Sequence, residues 1–236
     1  MTAARPAGID LARIAHDLRG PLMPLRTAAW LLRNEQGEPA RVCELADLVE
    51  RQSVRLARML DELSDWGRVA DTPAGLRLEP VDVALAVDMA MGGLSGCQVE
   101  PDITKEAAAF PLQVDSHRFG QVLLALVEHA LHRDPDAQPE VTLYVASRQL
   151  HVRVRDHGPA LDAAEREALL VQPQARPFDD GLGLRLLLAR RIAEAHGGRL
   201  DIDDATLDGL ALVCALPSAQ PGNGIEPSRD ALAGGP

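Results

Sequence analysis

Aromatic residues are scarce in this sequence: three Phe, two Trp and one Tyr make up 3% of its 236 residues. So few rings offer little surface on which nucleic acid bases could stack. No apolar run approaches the roughly 18 residues that a membrane-spanning helix needs, and the N-terminus lacks the apolar stretch of a signal peptide. The sequence therefore predicts a cytoplasmic protein with no membrane span and no nucleic acid partner.

Cysteine is also rare. Cys43, Cys97 and Cys214 are odd in number, have no metal-ligand spacing, and each lies beside aliphatic residues. We therefore expect three reduced cysteines in the core.

Apolar residues are plentiful, at 46% of the chain, which is enough to build the core of one large domain or two small ones. The net charge is −11, and acidic and basic residues are interleaved rather than segregated. Such a charge pattern does not favour binding to nucleic acid or to an anionic membrane. A protein or a small molecule is the expected partner.

Two apolar seams with alternating steps of four and three residues predict an N-terminal helical hairpin. A breaker segment at 36–39 separates them. Further apolar residues beside the seams widen the stripes beyond what one partner helix covers, so a homodimeric four-helix bundle is expected. We assign residues 1–69 to this antiparallel hairpin and residues 70–75 to a linker. The first seam is Leu11, Ala15, Leu18, Leu22, Leu25, Ala29 and Leu32; the second is Val42, Leu45, Val49, Gln52, Leu56, Met59 and Leu63.

His16 lies outside the first seam, which predicts a solvent-facing side chain beside Asp17. Pro21 and Pro24 remove backbone donors just after it, so the helix should bend there and give another protein access to the ring. An exposed histidine on a helix is usually an ordinary surface residue, so only its context indicates a function.

The string 16–22, His-Asp-Leu-Arg-Gly-Pro-Leu, resembles the H-box of bacterial two-component sensor histidine kinases. In that family the histidine attacks the γ-phosphate of ATP, and its acidic neighbour acts on the ring. The resemblance implies that His16 is the catalytic phosphoacceptor and that Asp17 holds its tautomer. This role is chemically reasonable, because an acceptor at one ring nitrogen raises the nucleophilicity of the other.

From residue 76 onward, strand-like runs alternate with helices, which predicts an α+β domain over 76–217 with a mixed sheet covered by helices on one face. Residues 218–236 are rich in Gly, Pro and Ala and are expected to form a disordered tail. Strands are predicted at 76–78, 98–103, 113–114, 141–147, 150–155, 199–202 and 210–215, and helices at 83–91, 116–131 and 184–196.

Four segments of this domain, in order, resemble the ATP-binding domain that histidine kinases share with some chaperones and topoisomerases. Residues 115–132 take the place of the N-box, 156–160 resemble the G1 box, 176–180 take the place of the F-box, and 181–184 resemble the G2 box. The resemblance implies an α/β sandwich of the histidine-kinase ATPase type that binds ATP. The segment 160–181 would be a mobile lid over the nucleotide.

The resemblance also assigns roles in this site. Asp156 would accept a hydrogen bond from the adenine amino group, and Gly158 would let the backbone approach the base. Gly181 and Gly183 would present backbone amides to phosphate at a helix N-terminus. His132 stands where the family has a basic residue near the phosphates.

The N-box departs from the family pattern, because the two expected asparagines are Ala125 and His129 here. Magnesium prefers oxygen ligands, and neutral imidazole replaces them poorly. Glu128 and His129 remain the candidate ligands for Mg²⁺. The second glycine of the G1 box is Ala160. These departures affect phosphoryl transfer more than the fold.

The favoured function is a histidine kinase that autophosphorylates His16 from ATP and passes the phosphate to an aspartate of a response regulator receiver domain. A homodimer and an upstream sensor protein are its further expected partners. One alternative is a histidine phosphotransferase with a vestigial nucleotide domain. Another is a non-enzymatic dimeric scaffold that binds a response regulator.

Overall fold

The computed structural model describes residues 10–34, 38–71, 75–94, 99–175, 177–178, 181–203 and 209–219. None of the helices within these ranges is long and apolar enough to cross a bilayer. In chain order the elements are α1 (Leu11–Asn34), α2 (Pro39–Asp71), β1 (Glu79–Val81), α3 (Val83–Met91), β2 (Asp102–Ile103), α4 (Lys105–Ala108), β3 (Leu112–Val114), α5 (Ser116–Arg133), β4 (Glu140–Ala146), β5 (Gln149–Arg155), α6 (Ala163–Leu169), α7 (Arg185–Ala195), β6 (Arg199–Ile202) and β7 (Ala211–Pro217).

The helices α1 and α2 pack against each other as the predicted hairpin. Helix α1 stays helical through Pro21 and Pro24, so the bend after His16 remains a prediction. Helix α2 runs to Asp71, which makes the first two residues of the predicted linker helical.

The face that α1 turns towards α2 differs from the predicted seam. Its buried residues are Ile14, Pro21 and Ala28, whereas Leu11 is 75% exposed and Leu22 is 39% exposed. Leu18, Leu25 and Leu32 of the predicted seam are at least half-buried and lie beside these residues, so helical periodicity alone does not distinguish the two faces. The second seam is confirmed, since all its members except Val42 are at least half-buried. The large apolar side chains that stay exposed on the hairpin include Leu11, Leu22, Met23, Trp30, Val42, Val54 and Leu60.

The second half is an α+β sandwich, as predicted. Its main sheet has the strand order β2-β4-β5-β7-β6. Strands β2 and β4 are parallel, and the other neighbours are antiparallel. Alternate residues of β5, namely Leu150, Val152 and Val154, are buried. They belong to one core with the apolar faces of α3, α5 and α7, which places α5 and α7 side by side over the sheet.

Most predicted elements of this domain are confirmed, and α3 has the predicted bounds. The first strand is an exception, because β1 lies at Glu79–Val81 rather than at 76–78, and it pairs with β3 in a separate ribbon. Pro80 is tolerated there because an edge strand can spare a backbone donor. Helix α6, inside the predicted lid, was missed although Asp162 and Glu165 form a capping box at its start.

The cysteines differ in burial. Cys214 is buried, and burial raises the pKa of its thiol to about 12. Cys43 is exposed, so its predicted burial is wrong, because the prediction came from its aliphatic neighbours and the helix turns it outward. Cys97 lies outside the described residues, as does the predicted tail beyond residue 219.

Candidate functional site

His16 lies on α1 with 85% of its side chain exposed. Its Nδ1 is 3.2 Å from Oδ1 of Asp17, and Arg13 Nε is 3.6 Å from the other oxygen of the same carboxylate. When Nδ1 carries the proton and donates a hydrogen bond to Asp17, the neutral imidazole keeps its nucleophilic lone pair on Nε2. This geometry fits the roles that the H-box resemblance implies for both residues.

The G2-like segment of the second domain packs against the hairpin close to His16. Leu182, Leu184 and Leu187 form a buried apolar cluster with Ile14 of α1 and Met59 of α2. Ile14 is two residues before His16 on α1, so this cluster anchors the segment before α7 on the part of the hairpin that carries the phosphoacceptor position. The two domains therefore meet at the segment that the resemblance assigns to phosphate binding.

Glu62 of α2 caps this segment. Its buried carboxylate Oε2 accepts hydrogen bonds from the backbone amides of Leu182 and Leu184, at 3.1 and 3.2 Å. Leu184 is the N-cap of α7 and supplies no side-chain cap of its own, so Glu62 satisfies amides that the helix leaves open. The amides of Gly181 and Gly183, predicted to hold phosphate, alternate with these two. Gly183 has φ +75°, and a Cβ there would lie 2.4 Å from a backbone oxygen of Gln174.

Polar contacts extend the same interface. Asp65 of α2 accepts from Arg118 at 2.9 Å and from Gln121 at 3.0 Å. The guanidinium of Arg191 lies 3.5 Å from the ring centroid of Trp66. Such contacts are strongest where they are shielded from water, and both arginines here are half-buried or more. The hairpin and the second domain are thus joined by charged, aromatic and apolar contacts.

A cavity of about 420 Å³ lies between α5 and the segment 161–178. His132 and Phe178 stack on its wall with ring centroids 4.8 Å apart. His129 and Arg133 line the same cavity. It has the position and size expected of a small-molecule pocket.

His129 is buried on this wall, and burial lowers the pKa of its imidazole to about 4, with the charges of Arg133 and His132 adding to the shift. Gln174 Nε2 lies 3.3 Å from Nδ1 of His129. The neutral ring accepts there, so its proton lies on Nε2, which has no hydrogen-bond partner among the described residues. The backbone oxygen of Gln174 also accepts from Arg13, at 3.1 Å, which links this cavity to the helix of His16.

Glu128 points away from this cavity. It pairs with Arg185 and lines a second cavity, of about 300 Å³, between α2 and the helices α5 and α7. The structure does not bring Glu128 and His129 together as a metal site, because neighbouring positions on a helix point about 100° apart. The described residues contain no group of three or more His, Cys, Asp or Glu that could hold a metal ion. A carboxylate paired with arginine and a neutral imidazole do not fit Mg²⁺.

Asp156 is buried, at 2% exposure, and both of its oxygens are engaged. Oδ1 accepts from the amides of Gly158 at 2.9 Å and Leu210 at 3.2 Å, and Oδ2 accepts from Arg133 Nε at 2.8 Å. Arg133 also donates to the backbone oxygen of Pro159. Sequence reasoning missed Arg133, and the available signal was a second basic residue directly after His132.

Comparisons with known proteins identify both halves. Residues 11–71 match the His Kinase A (phospho-acceptor) domain, and residues 114–220 match the family described as Histidine kinase-, DNA gyrase B-, and HSP90-like ATPase. The chain belongs to the two-component histidine kinases. This family membership implies that the second domain of the histidine kinase core binds ATP.

Relatives of this histidine kinase core include Sensor protein ChvG of Rhizobium meliloti, 26% identical over 88% of this chain and 40% of the relative. A bacteriophytochrome of Pseudomonas aeruginosa is 30% identical over 82% of this chain and 27% of the relative. The chain thus spans less than half the length of these curated relatives.

Solved histidine kinases have the same fold. The structure of ThkA in complex with the response regulator protein TrrA matches with a TM-score of 0.67 and 17% identity, covering 88% of this chain and 60% of that one. Full-length ShkA in complex with AMPPNP matches with a TM-score of 0.64 and 21% identity, covering 89% of this chain and 46% of that one.

Proposed function

We propose that this chain is the core of a protein histidine kinase that autophosphorylates His16 from ATP and transfers the phosphate to an aspartate of a response regulator receiver domain. The observation that carries the proposal is the exposed His16 ring, whose Nδ1 lies 3.2 Å from Asp17, on the same chain as an ATPase-family domain.

In the proposed reaction, Nε2 of His16 attacks the γ-phosphorus of ATP. A bond forms between Nε2 and phosphorus, the bond to the bridging oxygen breaks, and ADP leaves. The proton on Nδ1 stays hydrogen-bonded to Asp17, which stabilises the positive charge that develops on the ring. The receiver carboxylate then attacks the same phosphorus and returns His16 to its neutral form. No step is assigned to magnesium, because Glu128 and His129 do not form a site for it.

The proposed partners follow from the surface of the hairpin. Met23, Trp30 and Leu60 are more than half exposed in the single chain, and burying them against a second copy would remove this apolar area from water. A homodimeric bundle is therefore proposed. The exposure of His16 leaves room for a receiver domain, and the ThkA complex with TrrA supports a partner of this kind. A cytoplasmic location is proposed for this acidic chain, none of whose described helices is long and apolar enough to cross a bilayer.

A second candidate function is a histidine phosphotransferase, in which phosphate arrives from another protein's aspartate. The engagement of Asp156 by Arg133 favours it, because the carboxylate expected to accept from adenine is already hydrogen-bonded.

Labelling with γ-³²P ATP and Mg²⁺ separates the two candidates. Acid-labile label on wild-type protein that disappears in His16→Gln supports the kinase. Label that appears only after a ³²P-phosphorylated receiver domain is added supports the phosphotransferase and contradicts autophosphorylation. Lys105→Gln, an exposed change far along the chain from both sites, is the control that should label like wild type.

A further inference from the structure

Arg133 lies between the buried Asp156 and the 420 Å³ cavity. It lines that cavity, whereas Asp156 is not among the residues on its wall. Only 11% of the Arg133 side chain and 2% of the Asp156 side chain are exposed. A base entering the cavity therefore meets a guanidinium where the family resemblance expects a carboxylate.

We propose that Arg133 determines the base selectivity of the nucleotide site. Its hydrogen bond to Asp156 keeps that carboxylate from accepting from the base, and its remaining N–H donors bind an oxygen at position 6 of a purine. The proposal rests on the proposed function, since it concerns the nucleotide that the same site binds. The ligand class is the 6-oxopurine nucleotides, those of hypoxanthine and guanine, alongside ATP.

Hydrogen-bond capacity supports this assignment. The three donors to Asp156 are Arg133 Nε, at 2.8 Å, and the amides of Gly158 and Leu210. The amino group of adenine is a donor and needs an acceptor, and a guanidinium has none. An oxygen at the same position of the base is an acceptor and matches the guanidinium. Nε and Nη2 of Arg133 are engaged by Asp156 and Pro159, whereas Nη1 has no partner among the described residues.

Arg133 is also held in place. Its guanidinium is fixed at two points, by Asp156 and by the backbone oxygen of Pro159. Its own backbone oxygen lies 2.7 Å from where a Cβ of Gly158 would be, so the end of α5 and the G1-like turn are in close contact. Moving the guanidinium aside would leave a buried carboxylate without its charged partner, which is costly. Binding of adenine to Asp156 therefore carries a free-energy cost.

The test is a competition binding measurement on the full chain with ADP, which carries an amino group at position 6 of the base, and IDP, which carries an oxygen there. We expect wild-type protein to bind IDP at least as tightly as ADP. Arg133→Leu removes the donors and should shift the ratio of the two dissociation constants roughly tenfold towards ADP, the size of one hydrogen bond gained or lost. Arg133→Lys keeps a cation beside Asp156 and should retain the wild-type ratio in a fully folded protein. The matched control is Arg77→Leu, an exposed arginine of the same domain.

Each outcome is decisive. Wild-type protein that binds ADP tenfold or more tightly than IDP overturns the role of Arg133 and leaves the proposed kinase function standing. An unchanged ratio in a folded Arg133→Leu protein also overturns it. Failure of both nucleotides to bind wild type contradicts the proposed kinase function itself, and the inference with it.

Discussion

The carboxylate of Glu62 lies 3.2 Å from the backbone nitrogen of Leu184, where α7 begins. A residue of the phosphoacceptor hairpin thereby caps the helix of the ATPase domain that follows the G2-like segment. Negative charge is favourable at a helix N-terminus, where backbone amides are unsatisfied and the helix dipole is positive. The same charge also pairs electrostatically with Arg185, whose pKa is lowered mainly by burial and raised in part by Glu62.

The first prediction concerns this cap. Glu62→Gln keeps an acceptor but removes the charge, so amide hydrogen exchange at Leu182 and Leu184 should accelerate by about tenfold to a hundredfold, the range for hydrogen bonds to charged groups. Asp61→Asn is the control, because this exposed neighbour lines the 300 Å³ cavity together with Glu62 and bonds to neither amide. Equal protection in Glu62→Gln and wild type would show that the cap contributes nothing.

A second prediction concerns the tautomer of His16. Asp17→Asn weakens the acceptor at Nδ1, so the rate of autophosphorylation should fall by about a hundredfold while nucleotide affinity stays the same. Single-turnover labelling measures the rate, and nucleotide titration measures the affinity. Asp47→Asn, on the exposed side of α2, should label like wild type. A folded Asp17→Asn protein with the wild-type rate would contradict the role assigned to Asp17.

The altered N-box leads to a third prediction. The double substitution His129→Asn with His132→Lys restores an oxygen ligand for the metal and a lysine ammonium near the phosphates. Phosphorylation of His16 should therefore become faster at equal nucleotide occupancy. Initial rates at saturating ATP and Mg²⁺ measure this. Strong labelling of wild type together with an unchanged rate in the folded double variant would mean that the chain positions phosphate without these residues.

Burial of His129 predicts a pH dependence of stability. The unfolded chain takes up a proton at this residue below its ordinary pKa of 6.5, whereas the folded protein does so only near 4. Stability is therefore fully present above pH 6.5 and is lost as the pH falls towards 4. This group should lower the free energy of unfolding by about 2 kcal/mol between pH 7 and pH 5.

Urea denaturation at the two pH values measures this loss. The His129→Asn protein should lose about 2 kcal/mol less than wild type over the same interval. His117→Asn, at an exposed position of α5, is the control and should behave like wild type. Parallel losses in wild type and His129→Asn would show that another group is responsible.

The exposed apolar face of the hairpin gives a last prediction. Met23→Asp with Leu60→Asp places charges at positions that are 62% and 51% exposed in the single chain, so folding should be retained while the dimer dissociates. Sedimentation of the full chain should show wild-type dimers and variant monomers. Ser53→Asp, an exposed polar position on α2, should leave the dimer intact. Monomeric wild-type protein would remove the bundle from the proposal.

Local sequence patterns were sufficient to predict many of the helices and two of the family motifs. Apolar steps of three and four residues located α1 and α2, and the N-cap at Asp115 explains why α5 begins where it does. The H-box and the G2-like segment were also readable, because each is a short contiguous string. Helix α6 was equally readable from its capping box and was overlooked inside the segment interpreted as a lid.

The site itself depended on tertiary structure. Glu62 and Leu184 are 122 positions apart, and Arg133 and Asp156 are 23 apart, so no local spacing connects either pair. The sequence by itself determined which segments form helices and strands and which family they resemble, because periodicity and capping act within a few residues. Only the tertiary structure decided that Arg133 covers Asp156, that Glu62 caps α7, and that Glu128 and His129 face different cavities. These relationships depend on how packed helices are rotated and placed, which is set by the burial of apolar faces from the whole chain at once.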